Sequence, residues 1–143
     1  MGRILAIDYG KKRVGLAVTD PLKIIAGGLT TVEASQVLDF LKNYVAQNQV
    51  ELIVVGLPKT VKNTPSESMN YIRPFVDKLK KTLPDIPVTF YDERFTSVLA
   101  HKAMLDAGLK KKDRANKALV EEISATIILQ DYLTSVENIL FIQ

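Results

Sequence analysis

The chain has 143 residues and is 47% hydrophobic, 24% charged and 7% aromatic, with no tryptophan; this suits one globular domain and excludes disordered or collagen-like classes. Nineteen Lys and Arg against sixteen Asp and Glu leave a formal +3, which permits an acidic partner without requiring one. The chain has no cysteine and one histidine, His101, so disulfides, thiol nucleophiles, cysteine-held zinc or iron–sulfur sites and His-rich metal sites are all excluded.

No apolar run approaches the ~18 residues of a membrane span, and Asp8 interrupts the amino terminus before a signal-peptide apolar region could form. The expectation is therefore a cytoplasmic protein with a single domain over residues 1–143 and no membrane partner.

In chain order, Ile4 to Asp8 reads as a strand, Tyr9 to Arg13 as a glycine-bearing polar turn, and Val14 to Thr19 as a second strand of a hairpin. A short strand near Gly28 to Val32 continues the meander. Val37, Leu38, Leu41, Tyr44 and Val45 recur at helical spacing and predict a helix over 35–48, with Ser35 as its amino-terminal cap. Leu52 to Gly56 is continuously apolar, the pattern of a parallel strand covered on both faces.

A Pro, Lys and Asn loop follows to Pro65. A helix over 66–83 then carries Met69, Ile72, Phe75, Val76 and Leu79 on one face as core stripe, with a possible kink at Pro74. Val88 to Asp92 is the next strand. Thr96 or Ser97 caps a helix that Gly108 ends, and a last helix is expected over 118–133. The apolar Ile139 to Ile142 is expected to pack on the domain or on a second copy, consistent with a monomer or a homodimer.

This order predicts an α/β fold with a mixed five-stranded sheet, three antiparallel strands followed by two parallel ones, flanked by helices. Ligands of such sheets bind at the carboxyl ends of the parallel strands. There the sequence puts Asp8 at the end of the first strand and Asp92-Glu93 at the end of the last, and the final helix opens with Glu121-Glu122. Acidic groups from three distant places on one edge would repel one another without a cation. Oxygen-only donors point to Mg²⁺ or Mn²⁺, and carboxylate-held pairs of such ions support displacement at phosphorus. Read singly, Asp8 is equally a turn residue, and Glu121 or Glu122 equally complements the helix dipole.

The charge is unevenly spread. Residues 101–120 carry a local +4, centred on Lys110-Lys111-Lys112-Asp113-Arg114, and residues 121–143 a local −4. A lysine-rich loop can neutralise phosphates without fixed geometry, although most such runs are simply solvated surface. Lys11, Lys12, Arg13 and Arg94 sit on turns beside the carboxylates and are candidate phosphate contacts, Arg94 being equally an ion-pair strut. His101 reads as a helix-surface residue.

Four blocks carry a resemblance: Asp8-Tyr9-Gly10-Lys11-Lys12-Arg13-Val14-Gly15-Leu16-Ala17, Val55-Gly56-Leu57-Pro58, Asp92-Glu93-Arg94-Phe95-Thr96-Ser97, and Ser124-Ala125-Thr126-Ile127-Ile128-Leu129-Gln130. In this order they resemble the YqgF/RuvX family. The resemblance implies an RNase H-like fold and a metal-dependent nuclease that processes the 5′ end of pre-16S ribosomal RNA, with precursor ribosomal particles as partners.

It further implies catalytic, metal-binding carboxylates at Asp8, Glu93 and Glu121, with Glu122 in reserve, holding two Mg²⁺ or Mn²⁺ ions. The family carries Asp where this chain has Glu121. Structured RNA is the favoured substrate. The alternatives are a branched-DNA endonuclease resembling Holliday-junction resolvases, or a catalytically impaired nucleic-acid-binding, ribosome-associated factor. Asp8 to Gly15 also resembles the phosphate loop of sugar kinases and actin-like proteins, but that fold needs two lobes and this chain has room for one.

Overall fold

A computed structural model describes residues 2–57, 69–92 and 117–142; for residues 57, 69, 92, 117–121 and 135–142 it describes the backbone alone. Five strands form one sheet: β1 (Arg3–Tyr9), β2 (Arg13–Thr19), β3 (Ala26–Glu33), β4 (Val50–Leu57) and β5 (Val88–Asp92). Their spatial order is β3-β2-β1-β4-β5. β1 pairs antiparallel with β2, and β2 antiparallel with β3, whereas β1, β4 and β5 run parallel. The expected mixed sheet is therefore present. Helix α1 (Val37–Gln47) connects β3 to β4, α2 (Met69–Thr82) precedes β5, and α3 (Lys117–Ile142) follows it.

The sheet divides the core. Alternate side chains of a strand point to opposite faces, and β1 sends Leu5 and Ile7 into one layer with Val14, Leu16, Val37, Leu41, Ile53, Val55 and the buried stripe of α2. Ile4 and Ala6 enter the other layer with Ala17, Val54, Ala125, Ile128, Leu129 and Leu133. Val54 and Val55 are both fully buried on opposite faces, which explains the unbroken apolar run of β4. The core role expected for Ile72, Phe75, Val76 and Leu79 holds. Among the described residues, no helix is long and apolar enough to cross a membrane.

Two local expectations need correction or extension. Ser35 does not cap α1. Residues Ala34–Gln36 form a short 3-10 turn, and Gln36 precedes the helix without a side-chain cap bond. The last helix runs on from the expected 133 to Ile142, so the apolar tail continues α3. The helix expected after Thr96 or Ser97 lies outside the described residues, as do the 58–65 loop and His101.

At the amino-terminal end of β1, the β2–β3 loop is organised by Asp20. Its carboxylate accepts backbone N–H bonds from Ile24 (2.8 Å), Ile25 (2.7 Å) and Leu22 (3.2 Å). Lys23 takes a left-handed φ of 60° and pairs with Glu51 at the start of β4. The loop holds Leu22, Ile24 and Ile25 well out of the core, at 58%, 65% and 67% exposure. The amide bonds favour the ionised carboxylate and hold its pKa below the usual value, the Ile25 bond being the largest cause. A depressed carboxylate contributes order that is present above its unfolded pKa and lost as pH falls through its folded one. Hydrogen exchange at the Leu22, Ile24 and Ile25 amides should thus be slow near neutral pH, and Asp20→Asn at the same pH should speed all three without changing exchange in β1.

Candidate functional site at the carboxyl edge of the sheet

Because β1, β4 and β5 are parallel, their carboxyl ends, at Tyr9, Leu57 and Asp92, lie along one edge. Asp8 sits there, half-buried. It shares a face with Ile4 and Ala6, the face covered by α3. Its partner across the β1–β2 ladder is Gly15, which carries no side chain, so β2 puts nothing beside the carboxylate in the cross-strand position. β5 ends at Asp92, separated from β1 by β4 alone, about 10 Å at ordinary strand spacing. Glu93 is the next residue in the chain and lies outside the described residues, as do Arg94, Lys110, Lys111, Lys112 and Arg114.

α3 reaches this face because the sheet beneath it is made of small residues. Ala6 and Ala17 are cross-strand partners, and Ala17 pairs in turn with Gly28 of β3. Ala125 is fully buried over them. Glu122 stands at Gly28, where a Cβ would lie 2.4 Å from its Oε1 and 3.0 Å from its Cγ. The reserve carboxylate is therefore seated against β3, two strands from Asp8. Position 121 lies one residue before it and four before Ala125, on the same helical stripe; its side chain is outside those described. The structure thus brings Asp8 to the edge and places the opening of α3 over the same sheet face. Among the described residues, no three His, Cys, Asp or Glu side chains gather closely enough to hold a metal, and two of the three expected carboxylate side chains are not among them.

The basic turn is anchored from both sides. Gly10 N–H donates to the Arg13 carbonyl (3.0 Å), and Ala34 N–H donates to that of Lys12 (2.9 Å). Lys11 and Lys12 are exposed at the same edge as Asp8. Arg13 opens β2, partly buried, opposite Glu33 of β3. Lys11 Nζ lies 5.6 Å from the centroid of the Tyr71 ring on α2, a cation–π contact that sequence reasoning missed.

Tyr9, on the opposite face from Asp8, stacks on Phe75 at 4.2 Å and meets Tyr71 at 5.9 Å. Burial, with Tyr71 beside it, pushes the Tyr9 hydroxyl above its usual pKa, so it stays protonated at neutral pH. The alternation of β1 could have signalled that Tyr9 faces α2; nothing local marks Tyr71 as its partner.

Three comparisons place this geometry. The family model described as RuvX, Holliday junction resolvase, matches residues 2–135. A protein of Phocaeicola vulgatus named "Putative pre-16S rRNA nuclease" is 69% identical, over 94% of this chain and 97% of its own length. A Bacteroides fragilis protein of the same name is 66% identical over 93% and 96%. Among solved structures, T. thermophilus RuvC in complex with a Holliday junction substrate superposes with a TM-score of 0.56, at 13% identity over 95% of this chain and 96% of that one. Fowlpox virus resolvase with Holliday junction DNA gives 0.57, at 11% identity over 94% and 98%. The shared fold is RNase H-like.

The seat of Glu122 can be tested by a double-mutant cycle. Replacing a strand glycine by alanine normally stabilises by about 0.5–1 kcal/mol. Gly28→Ala should forfeit that gain in the wild-type chain and recover it in a Glu122→Ala background, as read from denaturant unfolding.

Proposed function

The chain belongs to the RuvX family, and from that membership we propose that it is a metal-dependent nuclease hydrolysing phosphodiester bonds, acting on the 5′ end of pre-16S ribosomal RNA. The observation that carries this reading is Asp8 at the carboxyl end of β1, the central strand of the sheet, on the face that α3 covers, beside the side-chain-free position of Gly15. The names of the 61–69% identical relatives supply the RNA. A chain without cysteine suits a reducing cytoplasm, where ribosomal precursors would be met.

In this reading Asp8, Glu93 and Glu121 hold divalent cations, and the donor set fits: oxygen ligands only, with Asp8 half-buried at a strand end. Mg²⁺ or Mn²⁺, two ions by analogy with carboxylate-held pairs, would supply charge stabilisation at the phosphate and an activated water at neutral pH. The side chains of this chain position and neutralise. Asp8 orients the site from a rigid strand whose neighbours Leu5, Ile7 and Ala6 are buried. Lys12, Arg13 and Arg94 hold the phosphates flanking the scissile one. Lys110, Lys111, Lys112 and Arg114 track the backbone further out without reading sequence. No protein nucleophile is required. Glu121 places its carboxylate about 1.5 Å further from the helix backbone than Asp would.

The family description also names Holliday junctions, so a four-way DNA junction is the second substrate to assay. With Mn²⁺ present, the wild type should shorten precursor ribosomal RNA, and Asp8→Asn should lower the rate by a factor of at least about 10³, the scale of losing a preorganised charge in an active site. Circular dichroism should show both chains folded. Undiminished cleavage by the Asn variant would sink the assignment.

A further inference from the structure

On the face of the sheet opposite Asp8, the amino-terminal ends of α1 and α2 leave an open cleft of about 460 Å³. Its walls include Tyr9, Tyr71, Phe75 and Leu38, with Asn70 and Lys78 among its polar lining. The volume falls within the ~300–1,000 Å³ of small-molecule clefts. Phe75 is almost wholly buried and forms the floor, whereas Tyr9 and Tyr71 are half-buried. Two aromatic rings therefore stand at the opening rather than inside the core.

The surroundings are basic. Lys11 lies over Tyr71, Lys12 is exposed on the same turn, and α2 adds exposed Arg73 and Lys78 beside Asp77, set against the exposed Asp39 in the first turn of α1 on the other wall. An aromatic floor inside a lysine rim is the combination that binds single-stranded nucleic acid without reading its sequence: rings stack on the faces of the bases and the cations meet the phosphates. The cation–π contact of an exposed lysine is weak, so Lys11 is free to exchange the Tyr71 ring for a phosphate when a base takes its place.

Position supplies the link to the carboxylate edge. Asp8 and Tyr9 are consecutive, their Cα atoms about 3.8 Å apart, and they face opposite sides of the sheet. A strand whose phosphate lies at Asp8 has only the edge at Tyr9 and Gly10 to cross before it reaches the cleft. We propose that the cleft between Tyr9, Tyr71 and Phe75 is a stacking subsite for an unpaired nucleobase next to the one being cut. This rests on the nuclease reading and deepens it: the substrate must be single-stranded, or splayed, on one side of the scissile bond.

The test is binding, measured by fluorescence anisotropy in EDTA so that no cleavage occurs, at one fixed salt concentration. The probes are a labelled ten-nucleotide RNA, the DNA of the same sequence, and a ten-residue strand made wholly of abasic deoxyribose phosphates. The last keeps the charge and removes every base. Wild type should bind the base-bearing strands roughly tenfold more tightly than the abasic one, the scale of a single base–aromatic stack. Tyr71→Ala should bring them down to the abasic level, and Tyr71→Phe should keep the preference. Tyr71→Leu fills the same space without a π face and should behave like the Ala variant, which keeps the test valid if Ala unfolds the helix. A larger loss for RNA or for DNA identifies the sugar the subsite favours.

Equal affinity of wild type for abasic and base-bearing strands would overturn the subsite, as would a Tyr71→Ala effect equal on all three probes; either result leaves the role of Asp8 standing. If the wild type bound none of the probes, the subsite would fall, whereas the nuclease reading, which calls on the divalent cations that EDTA removes, stands or falls with the Mn²⁺ cleavage assay.

Discussion

The two-residue repeat of β1 governs the rest. Leu5 and Ile7 are each worth about 1.5–3 kcal/mol when fully buried, and both are at 0% exposure in the layer beneath α1 and α2. Their burial fixes which way every other residue of the strand points. Ile4, Ala6 and Asp8 must face α3, and Tyr9 must return to the α2 side. A slip of one residue would put an aspartate into the larger core and leucine under the helix, so the register resists error. Placing a carboxylate at the edge is thus a by-product of packing two aliphatic side chains.

The second constraint is the low relief of the sheet under α3. Ala6, Ala17 and Gly28 form a continuous row across β1, β2 and β3, and Ala125 closes onto it. A helix can approach such a row closely, and this one carries two glutamates, Glu121 and Glu122, in its second turn. Packing therefore brings negative charge over the face that carries Asp8, with a further carboxylate expected after Asp92. Such an arrangement is unfavourable in isolation, and divalent cations turn it into a functional one. The aromatic cluster on the other face has the opposite character: neutral rings edged with lysines, one residue along the chain from the acidic site.

Much of this was legible. The apolar alternation and the continuous run at Leu52 to Gly56 gave all five strands and their directions, because local pattern and global packing agree there. Asp8 was legible as a strand-end carboxylate. The 3-10 turn at Ala34–Gln36 was not, since Ser35 satisfies the local rule for a cap and the actual chain path depends on Ala34 bonding back to Lys12. Neither Glu122 against Gly28 nor Lys11 over Tyr71 leaves a spacing in the sequence, because each joins residues far apart in the chain. Gly28 read only as part of a short strand; what it does is make room for a side chain from α3.

Divalent-cation binding at the carboxylate edge is addressed most directly by thermal unfolding with and without Mn²⁺, because a ligand that binds only the folded state raises the melting temperature. The wild type should gain stability as Mn²⁺ is added. Asp8→Asn should melt at or above the metal-free wild type, since one repelling charge is gone, and should gain far less from the ion. An equal Mn²⁺-dependent rise in both chains would contradict the claim that Asp8 is part of a cation site.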